Sequence, residues 1–96
     1  MIVWKITDSD CPVCTEMSEF DSELILSMGF ELTLLPFDSA VHHEAIASYI
    51  RGNLVASDGT VDIPMYIVQA DGDFVGAVVG RQTKAELKRK LYMAAG

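Results

Sequence analysis

The sequence is poor in cysteine and in positive charge, and it lacks any long apolar run. Its two cysteines sit three apart, as Cys11-Pro12-Val13-Cys14. A small secreted domain stapled by disulfides normally uses more cysteines at wider spacing. A bridge across so short a loop constrains the unfolded chain little, so the pair suits chemistry better than scaffolding. Seven Lys and Arg stand against fourteen Asp and Glu, a formal net charge of −7. That balance argues against nucleic acid or an anionic membrane as the main partner. Nothing approaches the ~18–20 apolar residues that span a bilayer; the longest uncharged stretches, such as Ile63 to Ala70, are strand-sized. The opening residues Met1-Ile2-Val3-Trp4-Lys5 lack the charged leader and long apolar segment of a signal peptide. Ninety-six residues are too few for a TIM barrel, a full dinucleotide-binding domain, or a catalytic domain with a lid. With 50% hydrophobic and 22% charged residues, the chain is not built for disorder. A single compact, soluble, acidic domain over residues 1–96 is expected, most simply in the cytoplasm.

Ile2 to Thr7 is apolar and β-rich and predicts a first strand, followed by a short turn, Asp8-Ser9-Asp10. From Pro12 the pattern turns helical, with Met17, Phe20, Leu24 and Met28 recurring at three- and four-residue steps. Glu16, Glu19, Asp21 and Glu23 fall largely off that stripe, and Gly29 is placed to end the helix. Glu31 to Leu35 predicts a second strand; Pro36 limits its pairing, and Asp38 or Ser39 opens a second helix around Val41 to Arg51. After a connector with a turn at Ser57-Asp58-Gly59 come two apolar runs, Met65 to Gln69 and Phe74 to Val79. Asp71-Gly72 between them is a hairpin signal, because both turn positions need positive φ. Thr83-Lys84-Ala85-Glu86 is a capping box opening a last helix with Leu87 and Leu91 on one face. The expected order is β-α-β-α-β-β-α: a mixed four-stranded sheet with three helices covering both its faces, its first crossover right-handed and parallel, its hairpin antiparallel.

This order, Cys-x-x-Cys opening the first helix and Ile63-Pro64 just before the third strand together resemble the thioredoxin/glutaredoxin family. The resemblance covers nearly the whole chain. It is sharpest in Asp62-Ile63-Pro64, the Asp71-Gly72 turn, and Val79-Gly80 leading into the last helix. The length is nearer to a glutaredoxin. In that family the proline equivalent to Pro64 follows a cis peptide bond and faces the cysteine pair. The resemblance therefore implies that the Ile63 backbone could pair with an extended substrate segment as an added strand. Pro12, Val13, Ile63, Pro64 and Val79-Gly80 would then rim Cys11.

The residues themselves support redox chemistry. A strand delivers the chain to Cys11 at what should be the sheet's edge, and Pro12 fits the first helical position, where a missing N–H costs nothing. Cys11 then lies at the N-cap, where the free N–H groups of Val13 and Cys14 and the helix dipole favour thiolate over thiol. Such motifs take a cysteine pKa from ~8.5 to about 7 or lower. Cys11 is the expected nucleophile and Cys14, less exposed one turn in, the residue that resolves the mixed disulfide. The same spacing is also half of a zinc site. The remaining candidates, His42 and His43, would point about 100° apart on a helix and suit one ion poorly, so no metal is expected. They read as helix-surface side chains, and Trp4 and the methionines as core or strand residues.

Departures from the family pattern matter. Asp10, with Asp8 nearby, stands where thioredoxins commonly have Trp, and its charge opposes a thiolate at Cys11. Lys5, six residues before Cys11, stands where thioredoxins usually keep a buried carboxylate that assists proton transfer near the second cysteine. Lys5 either snorkels to the surface or favours a Cys14 thiolate. Cys-Pro-x-Cys is similar to glutaredoxins, yet their Gly-Gly and Asp after the fourth strand are replaced by Val79-Gly80-Arg81-Gln82-Thr83, where Arg81 could still meet a glutathione carboxylate. Arg81, Lys84, Lys88, Arg89 and Lys90 crowd the last helix, where they suit its C-terminal dipole or offer an acidic partner a docking surface. The leading expectation is a monomeric reductase of protein disulfides with no cofactor beyond its own redox-active Cys11–Cys14 disulfide. A thioredoxin-reductase-type donor would recycle it, and ribonucleotide reductase is a target class by resemblance. The alternatives are a glutathione-dependent glutaredoxin and a redox-inert or metal-binding interaction module on the same fold.

Overall fold

Strand formation follows the apolar runs. In the computed structural model, which describes residues 1–96, β1 (Ile2–Thr7) runs parallel to β2 (Glu31–Pro36) and antiparallel to β3 (Met65–Ala70). β3 pairs antiparallel with β4 (Asp73–Val79), giving the sheet order β2-β1-β3-β4. The hairpin turns at Asp71 and Gly72, with φ of 53° and 85°, the positive values its two-residue loop requires. β1 is an interior strand, so Cys11 lies beyond the sheet's end rather than along one of its edge strands.

Five helices, not three, cover the sheet: α1 (Pro12–Met17), α2 (Asp21–Ser27), α3 (Phe37–Ala40), α4 (Glu44–Asn53) and α5 (Lys84–Ala94). The expected first helix breaks in two because bonding tightens after Met17. The Glu19 and Phe20 N–H groups reach back only three residues, to Glu16 and Met17, and the Ser18 hydroxyl donates to the Thr15 carbonyl at 2.6 Å. α3 starts at Phe37, capped by Pro36 without a side-chain bond, so neither Asp38 nor Ser39 caps it. α4 starts later than the apolar spacing suggested, because His43 is its N-cap: Nδ1 accepts the Ile46 N–H at 3.2 Å. Its ring also meets Trp4 edge-on at 5.4 Å, which makes His43 a structural cap rather than a plain surface residue. α5 opens on the expected Thr83–Glu86 capping box but runs to Ala94. Its last turn therefore holds no basic residue, and the dipole does not account for the cations along it.

Alternating side chains of β1 and β3 feed two cores. Val3, Tyr66 and Val68 pack with Met17, Leu24, Ile25, Leu87 and Leu91 on one face. Ile6, Met65 and Ile67 pack with Ala40, Ile46 and Ile50 on the other. Each fully buried aliphatic side chain contributes roughly 1.5–3 kcal/mol. β3 is apolar on both faces from Met65 to Val68, as an interior strand should be. Met93, expected in the core, is 69% exposed because α5 turns it outward past Leu91.

Candidate active site

The turn after β1 is held by Asp8, whose carboxylate accepts the Asp10 N–H and whose carbonyl accepts the Cys11 N–H, both at 3.3 Å. Cys11 then takes an extended conformation (φ −107°, ψ 103°), and Pro12 begins α1. This makes Cys11 the N-cap. Its sulfur accepts the Cys14 N–H at 3.0 Å; of the two amides expected to serve it, Cys14's is the one that does. Cys11 and Cys14 are joined as a disulfide across one helical turn, with Cα atoms 5.2 Å apart. Both are nearly enclosed, Cys11 at 8% exposure and Cys14 at 5%. So small a difference does not tell the two sulfurs apart; the helix-terminal amide does.

Facing them is the Ile63-Pro64 segment, joined by a cis peptide bond. The Ile63 carbonyl oxygen lies 4.0 Å from Cys11 Sγ. Pro64 is buried, and its carbonyl accepts the Gly80 N–H at 2.9 Å, which brings the end of β4 to the same mouth. Gly80 needs its φ of +80° to turn there. Pro12 is exposed. Val13 is half-buried and packs toward the α1–α2–α5 core, whereas Ile63 and Val79 pack toward the opposite one. Cys11, Ile63, Pro64 and Gly80 are thus drawn together, while the Val13 and Val79 side chains diverge.

Beneath the cysteines lies a polar cluster that the apolar stripe concealed. Lys5 Nζ is 2.7 Å from Asp21 Oδ2, with the two side chains 7% and 0% exposed. The Tyr66 hydroxyl donates to the same oxygen at 2.6 Å. Lys5 therefore does not snorkel. Asp21 faces inward, contrary to its expected place off the stripe. It sits four residues after Met17 and three before Leu24, a spacing that already put it on the apolar face; its charge disguised it. Tyr66 is the cross-strand partner of Lys5. Burial, and then the bond to Asp21, push its phenol well above the ordinary tyrosine range. Lys5 and Cys14 line one open cavity of about 190 Å³ with Thr15 and Ser18, so the lysine of the ion pair and the second cysteine border the same space.

At the rim, Arg81 is held by both oxygens of Glu16, at 2.9 and 2.7 Å, across the loop–helix junction. Both side chains are exposed, so the pair is a surface one. No group of three or more His, Cys, Asp or Glu converges as metal ligands. No helix is long and apolar enough to cross a membrane.

No protein-family model matches the chain, and no curated protein matches it. Its likeness to solved structures runs through the whole chain. Thioredoxin 1 from Thermosipho africanus is 13% identical, with a TM-score of 0.58 and 100% of both chains covered. A mutant thioredoxin from Halobacterium salinarum is 20% identical, with a TM-score of 0.68 over 99% of this chain and 74% of that one. For a thio-disulfide isomerase from Thermus thermophilus the values are 16% and 0.59, over 99% and 79%. The chain has the thioredoxin fold, with its cysteine pair at the start of the first helix.

Proposed function

We propose that this chain, thioredoxin-like in fold and in its Cys-x-x-Cys pair, is a thiol–disulfide oxidoreductase that reduces protein disulfides. The observation that carries the reading is Cys11 at the N-cap, bonded to Cys14, taking the Cys14 amide at 3.0 Å and facing the Ile63 carbonyl at 4.0 Å. Once the bridge is reduced, an amide aimed at the Cys11 sulfur favours the thiolate. That thiolate attacks one sulfur of the substrate disulfide, the other leaves as a thiolate and takes a proton, and a mixed disulfide forms. Cys14, deprotonated, then attacks the Cys11 sulfur and expels the second substrate thiol. The substrate gains two electrons and two protons, and Cys11–Cys14 is oxidised. A flavin-linked reductase of the thioredoxin-reductase type returns the electrons, so the domain needs no cofactor of its own.

Substrate docks across Pro12, Val13, Ile63, Pro64, Val79 and Gly80, its extended backbone pairing with Ile63. The site of action is the cytoplasm and the working form a monomer; ribonucleotide reductase is one target class. The glutathione-dependent alternative has less support, because Val79-Gly80-Arg81-Gln82-Thr83 lacks the Gly-Gly and Asp of the glutaredoxin pattern. In the insulin-reduction assay Cys11→Ser is expected to abolish turnover and Cys14→Ser to trap a mixed disulfide on Cys11, visible by mass spectrometry. Full activity of the Cys11 variant would end the proposal. Coupling the wild-type protein in turn to a thioredoxin reductase and to glutathione with its reductase identifies the donor.

A further inference from the structure

The mouth of the cysteine pair is framed by three chain segments: the turn before α1, the stretch before β3, and the loop after β4. Each carries a charged residue within two positions of the residues that form the mouth. Asp10 immediately precedes Cys11, and Asp8 fixes the turn by accepting the Asp10 N–H. Asp62 immediately precedes Ile63, whose carbonyl is 4.0 Å from Cys11 Sγ. A Cβ built on Gly80 would lie 3.8 Å from Asp62 Oδ2, so that carboxylate stands over the β4 side of the mouth. Asp8, Asp10 and Asp62 are all exposed, and none has an ion-pair partner.

The nearby cations are spent. Arg81 is held by Glu16 at the rim, and Lys5 is buried against Asp21 below. Two of the segments that frame the mouth thus carry exposed carboxylates without an ion-pair partner, Asp10 next to Cys11 and Asp62 over Gly80.

We infer that the substrates of this site are disulfides embedded in cationic segments, with Lys or Arg flanking the cysteine, and that anionic disulfides are disfavoured. The inference rests on the thiol–disulfide exchange reading and narrows it. The chemistry is unchanged: the reduced Cys11–Cys14 dithiol gives two electrons and two protons to the substrate disulfide and becomes the disulfide itself. Charges of this kind act mainly on encounter, raising the association rate of a complementary partner by an order of magnitude or more at low salt. Screening removes much of that gain as the Debye length shrinks.

The test uses the whole chain, reduced with dithiothreitol and then freed of it. It is mixed with three disulfide-linked peptides of equal length whose cysteines are flanked by Lys, by Gln or by Glu. The second-order rate of Cys11–Cys14 oxidation is measured at low and high ionic strength. At low salt the Lys-flanked peptide is expected to react about tenfold faster than the Glu-flanked one, the gap shrinking at high salt. In the double variant Asp10→Asn/Asp62→Asn the ratio is expected to fall toward one. Both peptides meet the same sulfur, so the ratio cancels any change in Cys11 reactivity itself. A wild-type ratio near one, a preference for Glu, or a ratio indifferent to salt and to the two carboxylates overturns the inference and leaves the exchange reading standing. Failure of all three peptides to oxidise the pair overturns the exchange reading instead.

Discussion

Breaking the Lys5–Asp21 pair should cost the protein a large share of its stability, while removing both partners should not. The pair is 2.7 Å long and almost without solvent, and Asp21 also accepts bonds from Tyr66 at 2.6 Å and from the Ser22 hydroxyl at 3.3 Å. Lys5→Met keeps the aliphatic stem and deletes the charge, leaving a buried carboxylate with hydroxyl partners alone. Loss of one member of a buried pair costs about 3–5 kcal/mol. A chain of this length has a total of roughly 5–14 kcal/mol, at about 0.05–0.15 kcal/mol per residue. Tyr66→Phe removes one bond to a charged acceptor and should cost about 1.5–3 kcal/mol. In Lys5→Met/Asp21→Leu both charges go together, and the loss should be far smaller than for Lys5→Met alone. Equilibrium urea unfolding of the oxidised protein, followed by Trp4 fluorescence and circular dichroism, measures these three variants, Asp21→Leu alone and the wild type. With a slope of about 1–3 kcal/mol per molar urea, a 3 kcal/mol loss moves the midpoint by about 1–3 M. If Lys5→Met costs under about 1 kcal/mol, or the double variant is as damaged as the single losses summed, the pair is not the coupled buried unit described above.

Two further perturbations test the packing around the sheet. A Cβ at Gly76 would fall 2.7 Å from the Ala94 carbonyl oxygen and 2.9 Å from its Cα, both backbone atoms. Gly76→Ala must therefore displace the end of α5 and should cost about 1–3 kcal/mol, read as a lower melting temperature; an unchanged value would refute the contact. At the start of α5, the Thr83 backbone N–H, and then its side chain, hold the Glu86 carboxyl below its ordinary value of 4.5. That contribution is present above the ordinary value and is lost as the pH falls through the lower, folded one. Glu86→Gln should accordingly flatten the acid limb of stability against pH, while Thr83→Ala should lower stability by about 1 kcal/mol at neutral pH.

Much of the architecture was legible because it follows from local rules. Alternating or unbroken apolar runs marked the four strands, and Asp71-Gly72 marked a turn whose two positive φ values few other pairs supply so readily. Pro12 beside Cys11 marked the helix start on which the candidate site depends. What escaped was carried neither by apolar spacing nor by a known short motif. The split between α1 and α2 leaves the apolar spacing of Met17, Phe20, Leu24 and Met28 intact, so periodicity alone cannot show it. Asp21 reads as lying off the apolar stripe because a carboxylate is rarely enclosed unless paired, and its partner lies sixteen residues away on β1. A lone cation in a strand otherwise apolar, Lys5 between Trp4 and Ile6, was the available clue that an anion awaited it inside. His43 caps α4 through a ring nitrogen, a role for which no short motif prepares the reader.

The bond from the Gly80 N–H to the Pro64 carbonyl extends the β3–β4 ladder one rung past its final pair, Met65 with Val79. The gap opposite Cys11 is for that reason a stiff jaw carried on the sheet, not a pair of independent flaps. If a peptide docks there as proposed, it spends little of its binding energy on ordering that jaw. Any adaptation of shape on docking would then fall to the peptide, and an unfolded or easily unzipped strand would make it at least cost.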